Sequence, residues 1–119
     1  MIRAFATGAR FEPERIAAFP FCDALIDAYH PELRGGTGRK CDWSAARAAM
    51  RYTRFLILSG GLDAQNVNQA IAEVTPHAVD VCSGVESAPG VKDHDAMKNF
   101  IAAVRTAQRS LAATSASQL

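Results

Sequence analysis

Four short, continuously apolar runs recur along this chain, Ile2 to Ala6, Ala24 to Ala28, Phe55 to Leu58 and Ala78 to Cys82, each followed by a helix-forming segment. Uninterrupted runs of this length read as strands buried on both faces, and their alternation with helices specifies βαβ units on a parallel sheet. The order β-α-β-α-β-α-β-α admits two architectures, a small open α/β sheet or half of a closed barrel. Periodicity alone does not decide between them.

The intervening segments carry their own start signals. Phe11 to Phe19 has Pro13 and the acidic Glu12 and Glu14 near its beginning, as a short helix prefers. Asp42 is placed to cap the alanine-rich segment Trp43 to Met50. Asp63 can cap a helix whose Val67, Ala70, Ile71 and Val74 share one apolar face at the i, i+3, i+4, i+7 spacing. Asp93 opens a last helix with Met97, Phe100, Ile101 and Val104 turned inward.

At 119 residues there is room for one domain. It is expected over residues 1–109, and 110–119 form a tail small and polar enough to fray. A whole (β/α)₈ barrel takes roughly 250 residues, or about 200 with short loops. The chain is 49% apolar and 21% charged with a net charge of +1, so bulk charge draws it to neither nucleic acid nor a membrane surface. No apolar run approaches the roughly 20 residues that span a bilayer, and no basic segment with a signal-type apolar core opens the chain. The cytoplasm is the default location. Cys22, Cys41 and Cys82 are odd in number and widely spaced, which reads as reduced thiols; with the scattered His30, His77 and His94 they present no metal-ligand spacing.

Every glycine-bearing loop follows a strand, so the loops gather at the carboxyl edge of the sheet, where α/β proteins bind ligands. They are Gly35-Gly36-Thr37-Gly38, Gly60-Gly61 and Ser83-Gly84. Glycine lets backbone approach a ligand, and the helix N-termini beyond offer unpaired N–H groups to an anion such as phosphate. The same glycines also suit plain tight turns. Asp27 ends an otherwise apolar strand, where a charge costs free energy unless it faces a cleft or a partner. At that position of a barrel it reads as catalytic; a turn-capping role is the alternative. Glu86 and Lys92 read as solvated or loop-stabilising charges.

Taken together, Asp23-Ala24-Leu25-Ile26-Asp27, Gly35-Gly36-Thr37-Gly38, Asp42-Trp43, Leu58-Ser59-Gly60-Gly61-Leu62, Asn66-Val67, Val79-Asp80-Val81-Cys82-Ser83-Gly84-Val85-Glu86-Ser87 and Pro89-Gly90-Val91-Lys92-Asp93 resemble phosphoribosylanthranilate isomerase. The resemblance runs from about Ile2 to about Ala107, to the C-terminal half of that family, barrel strands five to eight. It implies the C-terminal half of a TIM barrel and an isomerase of tryptophan biosynthesis. The reaction is the Amadori rearrangement of N-(5-phosphoribosyl)anthranilate to 1-(2-carboxyphenylamino)-1-deoxyribulose 5-phosphate, without metal or cofactor.

On this resemblance Asp27 is the general acid that protonates the ribose ring oxygen. Gly60, Gly61, Ser83 and Gly84 match the phosphate-binding loops, and Gly35, Gly36, Thr37 and Gly38 match a mobile loop that closes over substrate. The family's general base, a cysteine in a Lys-x-Cys-Gly motif on the first barrel strand, and its anthranilate-carboxylate arginine have no counterpart in this sequence. The expectation is therefore a phosphorylated small-molecule substrate and a chain inactive alone, completed as an enzyme by an N-terminal half-barrel; the alternative partner is a second copy of itself, closing a pseudo-barrel without the general base. Otherwise it would be a non-catalytic phosphate-binding half-barrel.

Overall fold

The computed structural model describes residues 1–8, 10–30 and 41–117. The order of elements is β1 (Ile2–Ala6), β2 (Asp23–Asp27), α1 (Trp43–Ala49), β3 (Leu56–Ser59), α2 (Val67–Val74), β4 (Ala78–Val79), a hairpin of β5 (Glu86–Ala88) and β6 (Val91–Lys92), and α3 (His94–Ser117). The first four strands form one parallel sheet in the order β1-β2-β3-β4. This is the α/β arrangement that the alternating runs predict.

Alternation along the strands separates two sides of the sheet. Ala24 and Ile26 of β2 and Leu56 and Leu58 of β3 are buried to 1% exposure or less, against Trp43, Ala46 and Ala49 of α1 and Val67, Ala70, Ile71 and Val74 of α2. Each fully buried branched side chain stabilises by about 1.5–3 kcal/mol, so this side carries the core. On the other side Leu25 and Ile57 are only half-buried, and Ile2 of β1 is 58% exposed. The expectation of burial on both faces holds for one face only, because no described element covers the second.

Local chemistry explains the boundaries. Asp42 Oδ1 accepts the Ala45 N–H at 3.0 Å and starts α1 as predicted. Asp93 Oδ1 does the same for Asp95 and Ala96 at the start of α3. Asp63 Oδ1 receives the N–H groups of Gln65 and Asn66 in the turn that leads into α2. Pro13–Ala18 forms a 3₁₀ helix rather than a full helix over Phe11 to Phe19. The fourth strand is shorter than its apolar run. After the Asp80 N–H reaches the Leu58 carbonyl at 2.8 Å, β3 has already turned off at Gly60, and among the described residues no strand pairs with Val81 and Cys82. In α3 Phe100 and Ala107 are buried and Val104 is packed on the core, whereas Met97 and Ile101 are 40% and 48% exposed on the helix flank. The helix continues past Ser110 to Ser117, with Leu111 against the core.

A candidate active site at the carboxyl edge of the sheet

Parallel register aligns the strand ends. Asp27, the last residue of β2, stands opposite Ser59, the last of β3, and the Ala28 N–H donates to the Ser59 carbonyl at 2.9 Å. Leu58 stands opposite Val79, so Asp80 follows at the same level on the next strand. Three consecutive strands thus deliver Asp27, Ser59 and Asp80 to one edge.

Asp27 is fixed through its backbone while its carboxylate stays exposed. The buried Thr7 donates its N–H to the Asp27 carbonyl at 3.0 Å, and its hydroxyl donates to the same oxygen at 3.4 Å. Asp27 Oδ1 accepts the N–H of Tyr29 at 3.1 Å, which orients the carboxyl over the strand end.

The chain then leaves β3 through Gly60, in the left-handed region at φ +94°. A Cβ there would collide with Asp27 Oδ1 and come within 2.7 Å of the Tyr29 nitrogen, so only glycine brings this loop so close to the acid. The Gly61 carbonyl is held by Asn66 Nδ2 at 2.8 Å, and the Cys41 thiol donates to the Gly60 carbonyl at 3.6 Å. The loop after β4 packs on this one. Gly84 lies so close to Leu62 that a Cβ would overlap the Leu62 carbonyl oxygen.

Between these loops lies a cleft of about 460 Å³ that brings together Asp27, Gly60, Gly61, Ser83 and Gly84. Gly35, Gly36, Thr37 and Gly38 lie outside the described residues. Tyr29, Ser59 and Asp80 also line the cleft; the motifs of the sequence include Ser59 and Asp80, but the sequence reading assigns none of the three a role. Asp80 had the same signal as Asp27, a charge set into an apolar run. A larger groove of about 570 Å³ beside β1, lined by Arg3, Arg10 and Arg15 among others, contains none of the expected site residues.

Lys92 and Glu86 are not at the cleft. Lys92 Nζ donates to Glu86 Oε2 at 2.9 Å and to the Cys82 carbonyl at 3.0 Å, tying the β5–β6 hairpin to the start of the Ser83-Gly84 loop. The hydrogen bond and charge of Lys92 hold the Glu86 carboxyl below its ordinary value. Among the described residues no three His, Cys, Asp or Glu side chains converge as a metal-ligand set, and no helix is long and apolar enough to cross a membrane.

Comparisons with known proteins point to one family. The family model of N-(5'-phosphoribosyl)anthranilate (PRA) isomerase matches residues 1–103. An N-(5'-phosphoribosyl)anthranilate isomerase of Trichlorobacter lovleyi is 50% identical over 86 residues, 72% of this chain and 42% of the relative. The phosphoribosyl anthranilate isomerase of Thermotoga maritima superposes with a TM-score of 0.74 at 42% identity, covering 88% of this chain and 51% of that one. A phosphoribosyl anthranilate isomerase solved in complex with reduced 1-(o-carboxyphenylamino)-1-deoxyribulose 5-phosphate superposes at 0.71 with 37% identity, covering 88% and 48%. The chain spans about half the length of the curated relatives it matches.

Proposed function

Since the chain belongs to the N-(5'-phosphoribosyl)anthranilate isomerase family, we propose that it supplies the general-acid and phosphate-binding part of an isomerase site, as the C-terminal half of a (β/α)₈ barrel. The supporting observation is the cleft that sets Asp27 beside Gly60, Gly61, Ser83 and Gly84. Asp27 would protonate the ribose ring oxygen of N-(5-phosphoribosyl)anthranilate as the ring opens, the first step of the Amadori rearrangement. The two glycine loops would hold the 5-phosphate and fix the distance from phosphate to acid. Such positioning accounts for a large part of the rate in reactions of this kind.

A general base and a carboxylate-binding arginine are the complement this site needs. The open side of the sheet, with Leu25 and Ile57 half-buried and Ile2 exposed, is where further βα units would pack. The same open face favours a second reading, association of two copies into a pseudo-barrel that binds phosphate without catalysis. A cytoplasmic setting goes with either reading.

The test is isomerisation of N-(5-phosphoribosyl)anthranilate by the chain alone and mixed with a polypeptide carrying the first four βα units of a relative, with the solution mass recorded. Activity is expected in the mixture, and Asp27→Asn should lower it by about 10²–10⁴-fold. Unchanged activity in Asp27→Asn would refute the acid assignment. A stable dimer that binds phosphate and never gains activity on mixing would establish the second reading instead.

A further inference from the structure

β1 is an edge of the sheet, paired with β2 on one side and, among the described residues, with no strand on the other. The Asp23 N–H donates to the Met1 carbonyl at 2.9 Å and the Thr7 N–H to the Asp27 carbonyl at 3.0 Å, so the odd-numbered residues of this stretch bond to β2. Alternation in a parallel pair then turns the N–H and C=O groups of Ile2, Ala4 and Ala6 to the open edge, where another parallel strand can add.

Beside that edge lies the groove of about 570 Å³. Arg3 and Phe5 stand opposite Ala24 and Ile26, which are buried under the helices, so the groove opens on the helix-bearing side of the sheet. Phe5, Phe11 and Phe19 line it half-buried, with the Phe5 and Phe19 rings 6.1 Å apart. Arg3, Arg10 and Arg15 line it exposed, and the Arg3 guanidinium rests 3.8 Å above the Phe19 ring. Among the described residues none of the three arginines has an ion-pair partner, and Glu12 is the one carboxylate lining the groove.

In a right-handed parallel arrangement the helix after a strand lies over the helix-bearing side, toward the next strand. A strand added at β1 therefore brings its following helix onto this groove. For a second copy of the chain that strand is β4 and that helix α3, whose charged residues are Asp95 and the exposed Lys98, Arg105 and Arg109. Cations would meet cations, at a cost in free energy.

We propose that this groove docks a partner chain through a parallel strand followed by an acidic helix. The apolar side of that helix covers the three phenylalanines, and its carboxylates pair with Arg3, Arg10 and Arg15. The same arginines turn away a second copy. The proposal rests on the half-barrel reading and specifies the charge of the partner which that reading requires.

Titration with a polypeptide carrying the first four βα units of a relative, chosen so that the helix of its fourth unit is acidic, tests this beside sedimentation of the chain alone. Wild type should bind the polypeptide with an affinity that falls as salt is raised, and should sediment as a monomer. Arg3→Glu/Arg10→Glu/Arg15→Glu should weaken the polypeptide about tenfold or more and form dimers at concentrations where wild type does not. Because Arg3 also packs on Phe19, Arg10→Gln/Arg15→Gln serves as a milder variant that should move both readings in the same directions. Equal affinity for the polypeptide in all three forms overturns the proposal and leaves the half-barrel reading standing, as does a wild-type chain that dimerises as strongly as the triple variant. No binding of the polypeptide by any form refutes the half-barrel reading, and the docking proposal falls with it.

Discussion

The loop after β3 is held by buried main chain, whereas the loop after β4 leans on that first loop and on one ion pair. Gly60 wedges against the backbone of Ala28 and Tyr29, the Gly61 carbonyl is bound by Asn66, and Leu62 is 3% exposed. By contrast Cys82 and Ser83 are exposed, and their supports include Gly84 on the Leu62 carbonyl, the buried Val85, whose carbonyl accepts the Asp93 N–H at 2.8 Å, and the reach of Lys92 to the Cys82 carbonyl. The dependence runs one way. A disturbance of the first loop should displace the second, while one in the second should leave the first, and Asp27 beside it, in place.

Gly60→Ala is the strongest way to break that order. The new methyl group meets a carboxylate and two backbone nitrogens at a φ that L-residues rarely adopt, so the loss of stability should be about 3 kcal/mol. That is a large part of the 5–15 kcal/mol that holds a typical domain together. Urea unfolding measures it, and phosphate binding should vanish with it. Gly84→Ala comes next, at about 1–3 kcal/mol, because its clash is steric and its φ is not left-handed. It should abolish phosphate binding yet leave the Asp27 to Tyr29 hydrogen bond intact, which amide exchange at Tyr29 reports. Faster exchange at Tyr29 in Gly84→Ala would show that the two loops move as one.

The same contrast separates what was legible in the sequence from what was not. Asp42, Asp93 and the apolar stripe Val67, Ala70, Ile71, Val74 act within their own segments, so local spacing was enough to read them. The end of β4 was not, because it is set by where β3 turns away; nor was the exposure of Met97 and Ile101, which depends on the position of α3 against its neighbours. Asp27, Gly60, Gly61, Ser83 and Gly84 were each visible as residues, but the contact of Gly84 with Leu62 joins two loops distant in sequence. Asp80 lies inside an apolar run whose period says nothing of the cleft, so the sequence shows the residue without a role.

The ion pair sharpens the comparison at its weakest point. Lys92→Met removes both the Glu86 partner and the donor to the Cys82 carbonyl. An exposed pair contributes little to global stability, so the unfolding midpoint should barely change while phosphate affinity falls severalfold, with partial rescue in Lys92→Arg. Acid should act in the same way. Because Lys92 lowers the Glu86 carboxyl in the folded chain, its contribution is fully present above the ordinary glutamate value of 4.5 and is lost as pH falls through the lowered one. The affinity difference between wild type and Lys92→Met should therefore be constant at neutral pH and shrink in acid below that ordinary value. A difference that instead fades between pH 6 and 8 would mean that the loop after β4 is held by something other than this carboxylate, and that its support is less local than its contacts imply.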